Sequence, residues 1–313
     1  MRQLSGLELL EHEPLAPRTR FGIGGEADLF ASTRRPDVLA EAAARAQRLG
    51  CPIHFLGEGS NVVVSDAGVR GLVLRFLGSR LRRPTDDRIM AEAGASLQSL
   101  VDLSIELGLA GLHTLARIPG SVGGAVYGNA GAYGRQIDQI DPEVRFFDGI
   151  EVRTFDAKQC ELSYRESIFK RRKNWAILAC TLSLEPGDTA ELRHEADRIT
   201  RTRDEKFPPE MRCAGSVFKN LLVAELPPEA VAAAPEEAIR GGKIASAFFL
   251  EKVGAKGMRR GGIEIASYHS NLIYNLGEGT ASELRSLIEE LKQRILDEFG
   301  IELEEEVQYV GGF

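Results

Sequence analysis

Two glycine-rich stretches carry the first chemical signal in this sequence, LGEGSNV at 56–62 and IPGSVGG at 118–124. Glycines at that density let backbone N–H groups converge on an anion with no Cβ in the way, and Ser60, Asn61 and Ser121 add short polar donors. Each loop alone reads as an ordinary turn. Together they point to a ligand with a pyrophosphate and a long body, the shape of a dinucleotide. The Gly-x-Gly-x-x-Gly fingerprint after a first strand is missing, which disfavours a Rossmann site. Three later positions are polar in apolar company. Tyr164-Arg165 in LSYRESIF puts a permanent cation beside residues that read as strand, AGSVFKN sets Ser216 shortly before Lys219 and Asn220, and Glu306 precedes the apolar alternation of the last strand. Singly, Arg165 reads as an ion-pair partner, Ser216 as a turn residue and Glu306 as one carboxylate of an acidic run.

The elements that must position these residues alternate between helix and strand. Pro36 suits a first helical turn, Leu39, Ala42, Ala46 and Leu49 recur at helical spacing, and Gly50 supplies a left-handed stop. Strand, glycine loop, strand, turn and strand follow in CPIHFLGEGSNVVVSDAGVRGLVLRF. A second cycle starts near Ile89, with a helix from Ser96 as cap to Gly108 as stop. Asp148-Gly149 predicts a hairpin, AILACTLSL a central strand, and Asp188 with Glu191 the start of a polar helix that Phe207-Pro208-Pro209 ends. In the last third, IASAFFLEKVG reads as a buried helix, GIEIAS and NLIYNL as strands, Thr280 with Glu283 as the cap of a long amphipathic helix, and EEEVQYVG as a closing strand. The Ala-, Pro- and Glu-rich segment 221–242 reads as a surface insertion.

Composition removes several function classes. A chain of 313 residues with a formal charge of -7 lacks the basic excess of a nucleic-acid groove, and the run Lys170-Arg171-Arg172-Lys173 reads as a solvated turn. No apolar run of about 18 residues predicts a membrane span, and the acidic N-terminus does not read as a signal peptide, so a cytoplasmic location is expected. Cys51, Cys160, Cys180 and Cys213 stand apart without metal-ligand spacing and read as buried free thiols; no metal is expected.

Eight motifs in order, RTRFGIGGEADLF, LGEGSNVVVSDAGVRGLVL, RIPGSVGGAVYGNAGAYG, LSYRESIF, AGSVFKN, LEKVGAKG, SYHSNLIYN and FGIELEEEVQYVG, make the chain similar nearly end to end to the UDP-N-acetylenolpyruvoylglucosamine reductase family. The resemblance implies an α+β protein. An FAD-binding fold of two α+β subdomains, like that of vanillyl-alcohol oxidase, would cover 1–206 (about 1–85 and 86–206), followed by a C-terminal α+β substrate-binding domain over 207–313. It implies FAD held noncovalently against Gly57, Gly59, Ser60, Asn61, Ser121, Gly123, Gly124 and Gly131, with NADPH as reductant. The substrate implied is a UDP-sugar enolpyruvyl ether contacted by Tyr164, Lys206, Asn220 and Glu251, protonated by Ser216, its carboxylate held and polarised by Arg165 and Glu306. A monomer is expected.

The chain lacks an extended segment between SYRES and AGSVFKN, as in the shorter of the family's two forms. It departs from the family's usual pattern at Arg117 (glycine), Gly128 (methionine) and Leu221 (proline). Two other readings are a flavin oxidase of the same fold acting on a sugar or hydroxy acid, and a non-catalytic flavin-binding relative. The lack of histidine in GEGSN speaks against the first, and the joint presence of Arg165, Ser216 and Glu306 against the second.

Overall fold

A computed structural model describes residues 4–313, which divide into two compact units: residues up to 13 with 27–59 and 70–208, and residues 14–26, 60–69 and 209–313. The units are therefore discontinuous in sequence, unlike a division at 206/207.

In the first unit one sheet has the order Glu8–Pro14, Glu26–Thr33, Val69–Phe76, Ile53–Phe55. Helix Pro36–Arg48 starts with proline in its first turn, and the chain leaves it at Gly50 with φ +65°. The helix buries Leu39, Ala42, Ala43 and Ala46 against Leu72 and Leu74, as its apolar spacing predicts. Truncating a fully buried leucine such as Leu39 to alanine costs about 2–5 kcal/mol.

A second, five-stranded sheet has the order Val152–Phe155, Glu143–Phe147, Ala176–Ser183, Arg88–Glu92, Leu81–Thr85. Ala176–Ser183 is its centre, as the apolar run predicts. Strand Leu81–Thr85 pairs with Arg88–Glu92, so the change of sheet falls before residue 85. At the Asp148-Gly149 hairpin, Phe147 lies opposite Val152, and the Asp148 carboxylate accepts the amides of Ile150 and Glu151, each at 2.8 Å. Helix Leu97–Glu106 is capped by the Ser96 hydroxyl, and helix Thr189–Lys206 by Asp188, which accepts from the amides of Ala190 and Glu191.

The second unit has the sheet Cys213–Ser216, Leu272–Asn275, Ile263–Ile265, Arg259–Arg260. Helix Ala281–Phe299 opens with the reciprocal Thr280/Glu283 capping box and buries Leu284, Leu287, Ile288, Leu291 and Ile295. Strand Val62–Val64 pairs in parallel with Gln308–Val310, and Asp66 accepts the amides of Ala281 and Ser282 at 2.7 and 2.8 Å. Those two attachments explain why 60–69 groups with the far end of the chain.

The segment expected as a surface insertion differs from that reading. Leu221–Leu222 and Ile239–Arg240 flank Lys243–Ile244 in a small sheet, Ala230 is buried, and Leu221, Val223, Leu226 and Ile239 pack on the unit's core. The apolar residues dispersed among its glutamates and prolines are enough to anchor it.

Candidate active site

In the first unit the two glycine loops touch. A Cβ built on Gly57 would lie 2.8 Å from the Ser121 hydroxyl, whereas one on Gly124 would have that oxygen at 3.6 Å as its one neighbour within 4 Å. Gly124 is exposed with open space beside its Cα, room that fits a close-lying ligand such as FAD, while its amide is donated to the Ser121 hydroxyl at 3.3 Å. Gly59 is left-handed with φ +66°.

Other expected contacts have internal tasks. Gly123 donates its amide to the Ala93 carbonyl at 2.8 Å, and a Cβ there would sit 2.9 Å from that of Ala93. At Gly131 a Cβ would meet the Gln136 side chain at 2.3 Å. In the second unit, Ser60 is half-buried, and the Asn61 side-chain amide donates to the Glu306 carbonyl at 3.0 Å.

Arg165 does not sit in a strand. Ser163 and Glu166 exchange backbone hydrogen bonds at 3.1 Å, closing a tight turn in which Arg165 adopts a left-handed φ of +60°. The Lys170 ammonium donates to the Arg165 carbonyl at 2.9 Å and to Glu166 at 2.8 Å. The guanidinium lies 5.2 Å from the Tyr164 ring centroid and donates to the carbonyls of Asn129 at 3.4 Å and Gly131 at 3.0 Å.

Ser216 follows a register shift between Cys213 and Ser216, with Gly215 at φ +77°. A bulge of this kind re-aims the side chain that follows it. The next residues are held from both sides. Asn271, almost fully buried, accepts the Phe218 amide through Oδ1 at 2.9 Å and donates through Nδ2 to the Phe218 carbonyl at 2.9 Å and Ser246 Oγ at 2.8 Å. On the other side the Glu306 amide donates to the Val217 carbonyl at 2.7 Å and the Lys219 amide to the Glu304 carbonyl at 2.9 Å. The backbone next to Ser216 and that of Glu306 are therefore adjacent. The buried Lys219 ammonium pairs with Glu304 at 2.5 Å, which compensates its desolvation. Asn220 is exposed beside it.

The structure thus joins Ser216, Lys219, Asn220 and Glu306 in the second unit and places Tyr164, Arg165 and Lys206 in the first. Burial, with Arg203 nearby, lowers the pKa of Lys206, whose ammonium stands 5.0 Å from the Phe207 ring centroid. Glu251 lies on the exposed side of helix Ser246–Lys252, paired with Lys256 at 2.6 Å.

Arg117 is left-handed with φ +64°, a conformation that glycine adopts without cost, and its guanidinium reaches Asp204 at 2.5 Å. Sequence reasoning singled out neither Asn129 nor Asn271; an amide side chain inside an otherwise apolar or glycine-rich motif was the available signal. Cys160, Cys180 and Cys213 are buried as expected, while Cys51 is partly exposed.

Comparison with known proteins fits this architecture. Residues 207–310 match the UDP-N-acetylenolpyruvoylglucosamine reductase C-terminal domain, and residues 27–146 match the FAD binding domain. The UDP-N-acetylenolpyruvoylglucosamine reductase of Solibacter usitatus is 55% identical over 298 residues, covering 95% of this chain and 95% of its own. The chain belongs to the UDP-N-acetylenolpyruvoylglucosamine reductase family.

Reductase 2 of Bacillus anthracis is 33% identical over 302 residues, covering 96% of this chain and 92% of its own. The crystal structure of the Thermus caldophilus reductase superposes with a TM-score of 0.75 at 27% identity, covering 97% of this chain and 98% of that one. The fold is α+β with an FAD-binding domain. Among the described residues no helix is long and apolar enough to cross a membrane, and no three His, Cys, Asp or Glu side chains are grouped to hold a metal ion.

Proposed function

We propose that this chain reduces UDP-N-acetylglucosamine enolpyruvate to UDP-N-acetylmuramate with NADPH, supplying a precursor of peptidoglycan in the cytoplasm and acting as a monomer. The observation that carries the reading is the 55% identity to a reductase over nearly the whole chain. FAD, bound noncovalently, supplies hydride transfer from the nicotinamide to the enolpyruvyl double bond. Exposed backbone at Gly57 and Gly124, with the left-handed Gly59 and the hydroxyls of Ser60 and Ser121, would hold it; Gly123, Gly131 and Asn61 shape that backbone. The functional boundary is proposed at 206/207, with subdomains of about 1–85 and 86–206; the start of the C-terminal family match at residue 207 supports the first.

The remaining chemistry belongs to side chains. Negative charge develops on the substrate carboxylate as hydride arrives, and the Arg165 guanidinium, a planar fork, binds a carboxylate at two points. Glu306 polarises the same group. The Ser216 hydroxyl gives its proton to the neighbouring carbon. A serine is too weak an acid to do so in water, so the carbanion must be strongly basic and Lys219 close behind assists. Tyr164, Lys206 and Asn220 contact the UDP-sugar, and Glu251 lies at its margin. The test is NADPH consumption by FAD-loaded protein with and without UDP-N-acetylglucosamine enolpyruvate. Substrate-dependent oxidation supports the reading, and oxidation indifferent to that substrate overturns it.

A further inference from the structure

Arg165 is held by a residue that the chemistry above does not use. Asn129 has no exposed surface and a left-handed φ of +40°, and both ends of its side chain are spent within the first unit. Its Nδ2 donates to the carbonyl of Ser163 at 2.8 Å, and its Oδ1 accepts the amide of Asp138 at 3.0 Å. The first bond fastens the opening residue of the turn that carries Arg165. The carbonyl of Asn129 itself receives Arg165 Nη1 at 3.4 Å, and the carbonyl of Gly131, two residues on, receives Nη2 at 3.0 Å. One residue thus fixes the turn at its base and the guanidinium at its head. Ser167 Oγ adds a parallel tie to the Tyr127 carbonyl at 2.7 Å.

These bonds orient the fork without cancelling its charge, because both acceptors are neutral carbonyls. A guanidinium has five N–H groups in fixed directions, so spending two on the backbone determines where the others point. A left-handed Asn is tolerated where most side chains are not, since its short amide can satisfy local backbone groups. An interior amide with both ends bonded is also costly to remove.

We infer that Asn129 is the positioning residue for Arg165: its side chain clamps the Ser163–Glu166 turn onto the glycine-rich stretch, so that the guanidinium meets the substrate carboxylate in one orientation. The catalytic part of this inference rests on the function proposed above; the clamp does not.

Two measurements on Asn129→Gly, which keeps the left-handed backbone and removes both side-chain bonds, test it separately. Nitrogen-15 NMR of the arginine Nη groups, with Arg165→Lys identifying the signal, reads the clamp directly. Resolved Nη protons for Arg165 in the parent, averaged in Asn129→Gly, are expected. Averaging already in the parent, or no change in the variant, overturns the inference whatever the enzyme's activity.

The second measurement is reoxidation of the reduced flavoprotein by UDP-N-acetylglucosamine enolpyruvate. Asn129→Gly is expected to slow it about 10-fold to 100-fold, the scale of a small misplacement of a reacting group. In the Arg165→Lys background the same change should add less than about twofold, because its effect runs through Arg165. Equal losses in the two backgrounds overturn the inference. A parent that shows resolved Nη signals but no turnover of this substrate refutes the proposed reaction and leaves the clamp standing. Should Asn129→Gly fail to fold, Asn129→Asp is read in the same way: it keeps shape and Oδ1 but loses the donor to Ser163.

Discussion

The two units hold their candidate residues by different means. In the first, the backbone is bent from within. Gly59, Arg117, Asn129 and Arg165 all take left-handed conformations, and the Gly123 amide packs directly on Ala93. In the second, one bulge at Gly215 is followed by a segment held by partners remote in sequence: Asn271 on one side, Glu304 and Glu306 on the other. The first region adds left-handed residues at single positions to its ties between segments, such as Asn129 to Ser163, whereas the second rests mainly on bonds between distant segments. Substitutions in the first should therefore act on shape and ligand space, and in the second on stability or on one chemical step.

The largest expected effect separates chemistry from scaffold. Ser216→Ala leaves the bulge and the Asn271 bonds intact, so flavin reduction by NADPH should proceed at about the parent rate. Reoxidation by enolpyruvyl substrate should fall roughly 100-fold to 10,000-fold, the range for loss of a positioned general acid. Stopped-flow absorbance of the flavin follows each half-reaction, and equal slowing of both would falsify the proton-donor role.

Next comes a pair of adjacent glycines. Gly124→Leu projects into open space, so the protein should fold normally yet purify without yellow colour and fail to take up added FAD. Gly123→Ala forces a methyl group against Ala93 and should cost about 1–3 kcal/mol, seen as a drop of several degrees in melting temperature. Reversed outcomes, with Gly124→Leu unstable and Gly123→Ala only losing flavin, would invert the division of labour between them.

Asn271→Ala probes the second region. Removing an amide bonded to both backbone groups of Phe218 should destabilise by about 1–3 kcal/mol in chemical denaturation. A change within experimental error would mean that the Glu304–Glu306 side alone holds the Ser216 segment.

The smallest effect concerns Arg117. Arg117→Gly relieves a left-handed backbone while losing an ion pair that is half in solvent, and Arg117→Ala loses the pair while keeping the strain. The glycine variant should be the more stable of the two by about 1 kcal/mol. Equal stabilities would show that the left-handed backbone does not decide this position.

Local signals in the sequence reported local structure well. Pro36 and Gly50 bracket the first helix, Asp148-Gly149 makes the hairpin, and Thr280 with Glu283 forms the capping box, because each depends on residues a few positions apart. Partnership between distant segments was not legible. The strand Val62–Val64 could be read, but not its pairing with Gln308–Val310, since an apolar run carries no address. The residues beside Tyr164-Arg165 read as strand because they are apolar; the turn found there is fastened by Asn129 from 34 residues away. The catalytic candidates came from motif order and not from spacing. Glycine density was legible as a group, while the separation of Gly124 from Gly123 required knowing where Ala93 lies.

The parallel pairing of Val62–Val64 with Gln308–Val310 also constrains biosynthesis. A ribosome adds about 5–20 residues each second. Val63, fully buried in the finished protein, therefore waits on the order of ten seconds or more for its partner strand to be made. Throughout that interval the edge of strand Val62–Val64 lacks its final partner, a natural landing place for a chaperone. A chain stalled before Gln308 would leave that edge unpaired, open to aggregation or proteolysis.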